Sequence, residues 1–142
     1  ALRLLDAADR PSGALRDRLI DKGYDDETVA AVVDRLIEVG LVDDESYAQS
    51  AVRYCVGRLM GYRGAVMELA RKGVDRPLAE RVCDEARMSG VFEDAAWELG
   101  RRSAAKTQGM DPKVRKRRFW SSGGRKGHDA ETLRAVAHEL FD

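Results

Sequence analysis

The tetrapeptide Lys-Gly-x-Asp occurs three times in this chain of 142 residues, as Lys22-Gly23-Tyr24-Asp25, Lys72-Gly73-Val74-Asp75 and Lys126-Gly127-His128-Asp129. The copies lie 50 and then 54 residues apart, and an internal period of that size dictates architecture before anything else does. Each residue of the motif has a local meaning. Glycine just past a helix end adopts the left-handed turn that a Cβ disfavours. A lysine in the last turn faces the negative end of the helix dipole. Aspartate is a strong N-cap for the helix that follows. The motif therefore predicts one helix stopping and the next starting within about three residues. The residue after glycine contacts one about five positions back, which pairs Tyr24 with Leu19 and Val74 with Leu69. His128 is the poorer apolar partner of the third copy.

The period extends beyond the motif. At an offset of 50, Leu19 meets Leu69, Val32 meets Val82, Asp34 meets Asp84, Gly40 meets Gly90, Asp44 meets Asp94 and Met60 meets Met110. The third copy aligns if Ser121-Ser122-Gly123-Gly124 is an insertion, which sets Phe119 opposite Leu19 and Leu69. These four residues are good loop formers and poor helix formers. Apolar residues recur at three-and-four spacing throughout, as in Tyr47, Ala48, Ala51, Val52, Cys55 and Leu59. No stretch alternates with period two, so no sheet is expected. The expected fold is all-α: three tandem three-helix repeats forming an elongated, curved array. Residues 1–42 would form a first repeat with a shortened opening helix inside ALRLL. Residues 43–92 would form the second, and residues 93–142 a basic third. A unit of about 50 residues has a marginal core alone, and stacking buries the faces it leaves open.

Cys55 and Cys83 sit in apolar stripes and read as buried thiols of a reducing compartment. The longest apolar run is far short of the ~20 residues of a membrane span, and no signal-peptide pattern opens the chain. It begins with Ala, so the natural N-terminus is expected to be absent. Two histidines without a cysteine cluster predict no zinc site. The acidic clusters Asp25-Asp26-Glu27 and Asp43-Asp44-Glu45 fall at predicted helix starts, where capping accounts for them. No nucleophile–base arrangement or phosphate-cradling glycine loop is present, so neither catalytic residues nor a cofactor is expected.

A net charge of zero conceals a strong asymmetry. Residues 1–100 carry 14 basic and 20 acidic side chains, residues 101–128 carry 10 and 1, and residues 129–142 carry 1 and 4. A basic block of this kind tracks phosphates or faces an acidic protein surface. Its members, Arg101, Arg102, Lys106, Lys113, Arg115, Lys116, Arg117, Arg118, Arg125 and Lys126, form the predicted electrostatic surface. Arg53, Arg58 and Arg63 of the middle repeat are secondary candidates. Trp120 lies among them, and aromatics among basic residues can stack on bases. A direct nucleic-acid-binding module is therefore the rival class, and a passive helical scaffold a second.

The stretch LVDDESYAQSAVRYCVGRLMGYRGAVMELARKGVD, residues 41–75, resembles the core of the RecX family, regulators of the bacterial RecA recombinase. The likeness rests on Asp43-Asp44, Tyr47-Ala48, Arg53, Gly61, Leu69 and Lys72-Gly73. RPSGALRDRLIDKG resembles the family's first repeat through Ser12, Leu15, Leu19 and Gly23. RFWSSGGRKGHDAETLRAV resembles its third through Phe119, Gly127 and Leu133. The resemblance implies three-helix repeats and a non-enzymatic, cytoplasmic protein, with a monomer expected. It implies binding to RecA along the groove of the RecA–DNA filament. Inhibition of ATP hydrolysis, strand exchange and the co-protease activity behind the SOS response would follow. The SSGG segment departs from the pattern and is expected to interrupt or lengthen a helix.

Overall fold

The computed structural model describes residues 11–38 and 43–142, and these are helical with no strand among them. The helices are α1 (Ser12–Asp21), α2 (Asp26–Glu38), α3 (Asp44–Gly57), α4 (Tyr62–Arg71), α5 (Arg76–Met88), α6 (Val91–Lys106), α7 (Pro112–Arg125) and α8 (Ala130–Phe141). The opening helix expected inside ALRLL lies outside the described residues, as does Gly40. The rest is an all-α helical repeat array. Within α3–α5 and within α6–α8 every helix touches the other two, while α6 also packs on α3 and α5.

The three Lys-Gly-x-Asp copies are the α1–α2, α4–α5 and α7–α8 turns. Gly23, Gly73 and Gly127 all have left-handed φ, at 94°, 97° and 82°. In each turn the amide after glycine closes the C-cap. Tyr24 N donates to Leu19 O, Val74 N to Leu69 O and His128 N to Gly123 O, at 3.2, 3.0 and 3.0 Å. Asp25 and Asp129 then cap the next helix, accepting from Thr28 N and Thr132 N at 2.7 Å each. Those amides hold both carboxyls below the ordinary carboxylate range. Asp75 makes no side-chain cap bond. Pro77 follows it and has no N–H to offer.

Two expectations about these turns change. Tyr24 is 54% exposed and is not among the side chains of the core that buries Leu19. His128, by contrast, is 5% exposed, as deeply placed as its counterpart Val74 at 4%. The reason is position in the array, because the second and third turns dock on another group of helices and, among the described residues, the first meets none. A Cβ on Gly73 would overlap the backbone of Ala14, and one on Gly127 the backbone of Gly64. Ala14 and Gly64 are themselves 50 residues apart. Among the described residues nothing lies within 4 Å of a Cβ on Gly23. The second and third turns thus seat on the starts of α1 and α4, each in the preceding group.

Between α3–α5 and α6–α8 the seating becomes a three-bond clasp. Gly61 N donates to Lys126 O, Lys126 Nζ to Arg58 O and His128 Nε2 to Leu59 O, each at 2.8 Å. The last bond holds Leu59 in a left-handed conformation, φ 62°, that a leucine seldom adopts. It also requires the proton on Nε2, and burial pushes the His128 pKa below its ordinary 6.5. Between α1 and α3 the link is shorter. Ser12 N and Ser12 Oγ both donate to the Asp44 carboxylate, at 2.7 and 2.6 Å.

Ser121-Ser122-Gly123-Gly124 is no loop: it forms the last turn of α7. Counted back from the caps, Gly123 occupies the place of Leu19 and Leu69, because its carbonyl accepts the same turn bond. Phe119 therefore stands where Leu15 and Ala65 stand, one turn earlier, and all three are fully buried. The large and small partners have changed places. Leu69 with Ala65 fills the middle core, and Phe119 with Gly123 fills the last one. A Cβ on Gly123 would meet Leu133, so the glycine makes room for that side chain. The four additional residues lengthen α7 to 14 residues against 10 for α1 and α4, about one turn.

Candidate partner-binding grooves

The middle and last cores place the cations. Ala48, Ala51, Val52 and Cys55 of α3 pack with Ala65, Val66 and Leu69 of α4 and Val82 and Cys83 of α5. Ala96 and Leu99 of α6 pack with Phe119 of α7 and Leu133, Val136 and Phe141 of α8. Leu59, at the end of α3, joins this second core and so carries Arg58 to the edge of α6–α8.

The result is a groove of about 400 Å³ that crosses the junction between the two groups. Arg58, Arg102, Lys106, Arg118 and Lys126 line it, over a floor containing Leu59 and Leu99, and no acidic side chain is among its lining residues. Ser103, Thr107 and Ser122 line it as well. Of the five cations only Arg102 has a carboxylate partner among the described residues, Glu98, at 3.0 Å. Glu98 is shared with Arg101, and those two guanidiniums hold its carboxyl below the ordinary range. Arg58 donates to the neutral Tyr54 hydroxyl at 3.1 Å, and Lys126 to a carbonyl. Arg118 meets only the Met110 sulfur, at 3.8 Å.

The other predicted residues divide differently. Lys113, Lys116 and Arg117 line a second groove on another face of α7, with Trp120 and Phe141. Lys116 is paired there with Asp142. The basic block thus makes two grooves rather than one surface, because α7 turns Lys113 and Arg117 to one side and Arg118 and Ser122 to another. Arg115 faces the protein. Its Nε donates to Thr107 Oγ1 and its Nη2 to Ala104 O, both at 3.1 Å, with the guanidinium 5.2 Å from the Phe141 ring. It ties down the end of α6. Arg101 and Arg125 are exposed, outside both grooves, and Arg125 donates to Ser121 Oγ at 2.7 Å. Arg53 donates to Ser50 Oγ at 2.9 Å and edges a separate, mainly apolar groove with Val52, Val56 and Val82. Arg63 is exposed on α4 and lines neither basic groove.

Two residues outside the predicted electrostatic surface cluster with Arg58, although neither lines the groove. Tyr54 is 52% exposed beside Arg58, and Lys72 Nζ sits 4.8 Å from its ring centroid. The Tyr54–Arg58 pair was legible as an i,i+4 spacing. Lys72 comes from another helix end and had no such signal.

The fold and the junction groove define a class, a small helical-repeat protein with a built cationic face. Comparison with known proteins narrows it. Residues 1–36 match the family model described as RecX, first three-helix domain. The chain is 38% identical to the regulatory protein RecX of Thermobifida fusca over 143 residues, covering 98% of this chain and 76% of that one. Identity to the RecX of Chlorobium limicola is 29%, over 99% and 87% of the two chains. A mycobacterial RecX (Mycobacterium sp.) matches at 49% over 77 residues, 52% of this chain and 41% of that one. The crystal structure of RecX from Lactobacillus salivarius superposes with a TM-score of 0.81 at 19% identity, over 97% and 94% of the chains. This chain belongs to the RecX family of regulatory proteins.

Proposed function

We propose that this protein regulates the RecA recombinase by binding its filament on DNA through the junction groove and the cations around it. Bound there, it inhibits the ATPase, strand-exchange and co-protease activities of RecA, as a cytoplasmic monomer without a cofactor or catalytic step. Family membership supports the regulator class, and the groove is the observation that supports the site. Five cations from two helices and two helix C-caps, with one shared carboxylate among them, are matched to an anionic partner. The three helix groups, bounded near residues 42 and 92, act as units that span more than one RecA protomer. Bridging protomers opposes the motion that hydrolysis requires. Co-pelleting with RecA filaments on single-stranded DNA tests the reading: recovery with the filament, well above recovery with free RecA, is the expected result. Equal recovery with and without filament would overturn it.

A second reading, a nucleic-acid-binding module acting without RecA, is favoured by one feature, the groove that sets Trp120 beside Lys113 and Arg117. An indole among cations is a stacking platform for bases. Binding to bare DNA with unchanged RecA activity is its signature.

A further inference from the structure

Cations gathered without counter-ions repel one another, so a cluster that the fold maintains calls for a bound anion. The junction groove is such a cluster. Lys106 has no carboxylate partner among the described residues, Arg118 meets only a thioether, and Arg58 and Lys126 meet only neutral oxygens. Helix ends account for part of this, since Arg58 and Lys126 are C-caps and Lys106 closes α6. Each helix end offers roughly half a negative charge, so three ends leave most of the positive charge uncompensated. Arg118 lies within its helix, where no end-effect explains it, and among the described residues only Arg102 has a carboxylate, the Glu98 that it shares with Arg101.

The lining's donors fit phosphate as well as carboxylate, and the shape of the groove separates a run of phosphates from a protein face. Arginine forks fit tetrahedral phosphate oxygens, and lysine ammonium groups fit them as point charges. Hydroxyls such as Ser103 and Ser122 donate to phosphate without adding charge. The groove's volume, about 400 Å³, falls at the lower end of the range for small-ligand sites. It thus suits a run of phosphates better than a broad acidic protein face. We infer that the junction groove is a phosphate-binding site, with Arg58, Arg102, Lys106, Arg118 and Lys126 around a short run of linked phosphates. Two sources share that chemistry, the backbone of a single DNA strand and a free polyphosphate. The occupied site would cross-brace the junction, because Arg58 belongs to one group of helices and the other four cations to the next. The inference deepens the regulator reading at the same groove, naming phosphate as the group contacted there. It is measured with no RecA present, so either can fail without the other.

The test uses the full chain, a dye-labelled single-stranded oligonucleotide followed by anisotropy, and inorganic tripolyphosphate followed by calorimetry. The variants are Lys106→Glu/Arg118→Glu in the groove and Arg35→Glu/Arg134→Glu on exposed faces outside both basic grooves, an equal change of charge. Unchanged circular dichroism and melting show that both are folded. The groove variant is expected to weaken binding at least about tenfold, while the matched variant stays within about twofold. For about four phosphate contacts on a single strand, raising salt from ~50 to ~200 mM weakens binding about 50-fold. Binding of both probes, with mutual displacement, supports the inference. Binding of the oligonucleotide alone with the same variant pattern assigns the strand backbone, and binding of tripolyphosphate alone assigns a free polyphosphate. Binding of neither probe, or equal weakening by both variants, overturns it.

Discussion

Replacing Gly127 by alanine measures how strongly the α7–α8 turn holds the two helix groups together. Gly23 supplies the internal reference. Both glycines are left-handed, at 82° and 94°, so both substitutions carry the backbone cost, about 1–2 kcal/mol. Gly23→Ala stops there, because its Cβ meets nothing within 4 Å among the described residues. Gly127→Ala must also move Gly64 backbone, which has no rotamer to yield. Relief parts the groups and strains the clasp, Gly61 N to Lys126 O and His128 Nε2 to Leu59 O, both 2.8 Å. At about 1 kcal/mol per bond the additional cost is about 2 kcal/mol or more. At about 3 °C per kcal/mol for a chain of this size, Gly23→Ala lowers Tm by about 3–6 °C and Gly127→Ala by about 9–12 °C. Gly64→Ala sharpens the sign. Helix propensity alone predicts a gain of about 1 kcal/mol, but its Cβ would overlap Lys126 O, so a net loss is expected. Differential scanning calorimetry of the three variants decides. Equal losses at Gly23 and Gly127, or a raised Tm for Gly64→Ala, would refute the docking account.

Asp44→Ala removes both bonds from Ser12 and frees α1 from α3, at about 1.5–3 kcal/mol for charge-assisted bonds. Hydrogen exchange in α1 and α2 should rise while α6–α8 is unchanged. Protonation of His128 is disfavoured in the folded state, so between its folded pKa and 6.5 the unfolded chain binds the proton and the folded chain does not. Stability therefore falls as pH drops through that window, by up to about 1.4 kcal/mol per unit, and is flat well above it. His128→Gln should remove the slope in melts taken from pH 7.5 to 5. Burial pushes the Cys55 thiol up and that of Cys83 up to about 12, so alkylation at neutral pH should be slow until the protein is unfolded.

The helices and their turns were legible because local rules decide them. Gly23, Gly73 and Gly127 announce a left-handed cap whatever surrounds them. What those caps touch was not legible, since Gly127 on Gly64 depends on the rotation between helix groups. Of the two outcomes expected for Ser121–Gly124, interrupting or lengthening a helix, the structure shows the second. Serine and glycine propensities favour a loop, but tertiary packing overrides them once Gly123 receives Leu133. Aligning on Phe119 then compared unlike places in the core, because the exchange of large and small side chains between adjacent turns conserves volume, not position. The candidate site was legible as charge but not as shape. Composition cannot show that Arg115 turns inward to Thr107, or that Arg118 and Arg117, neighbours in sequence, line different grooves.

The central claim is that a regulator of RecA acts through the junction groove. Its most direct test is the single-strand-DNA-dependent ATPase rate of the cognate RecA, titrated with wild-type protein, Lys106→Glu/Arg118→Glu and Lys113→Glu/Arg117→Glu. The account predicts inhibition by wild type well below one molecule per RecA, little change with the second variant, and a loss of potency of about tenfold or more with the groove variant. An ATPase rate that wild-type protein leaves unchanged, or equal potency of wild type and the groove variant, would contradict it.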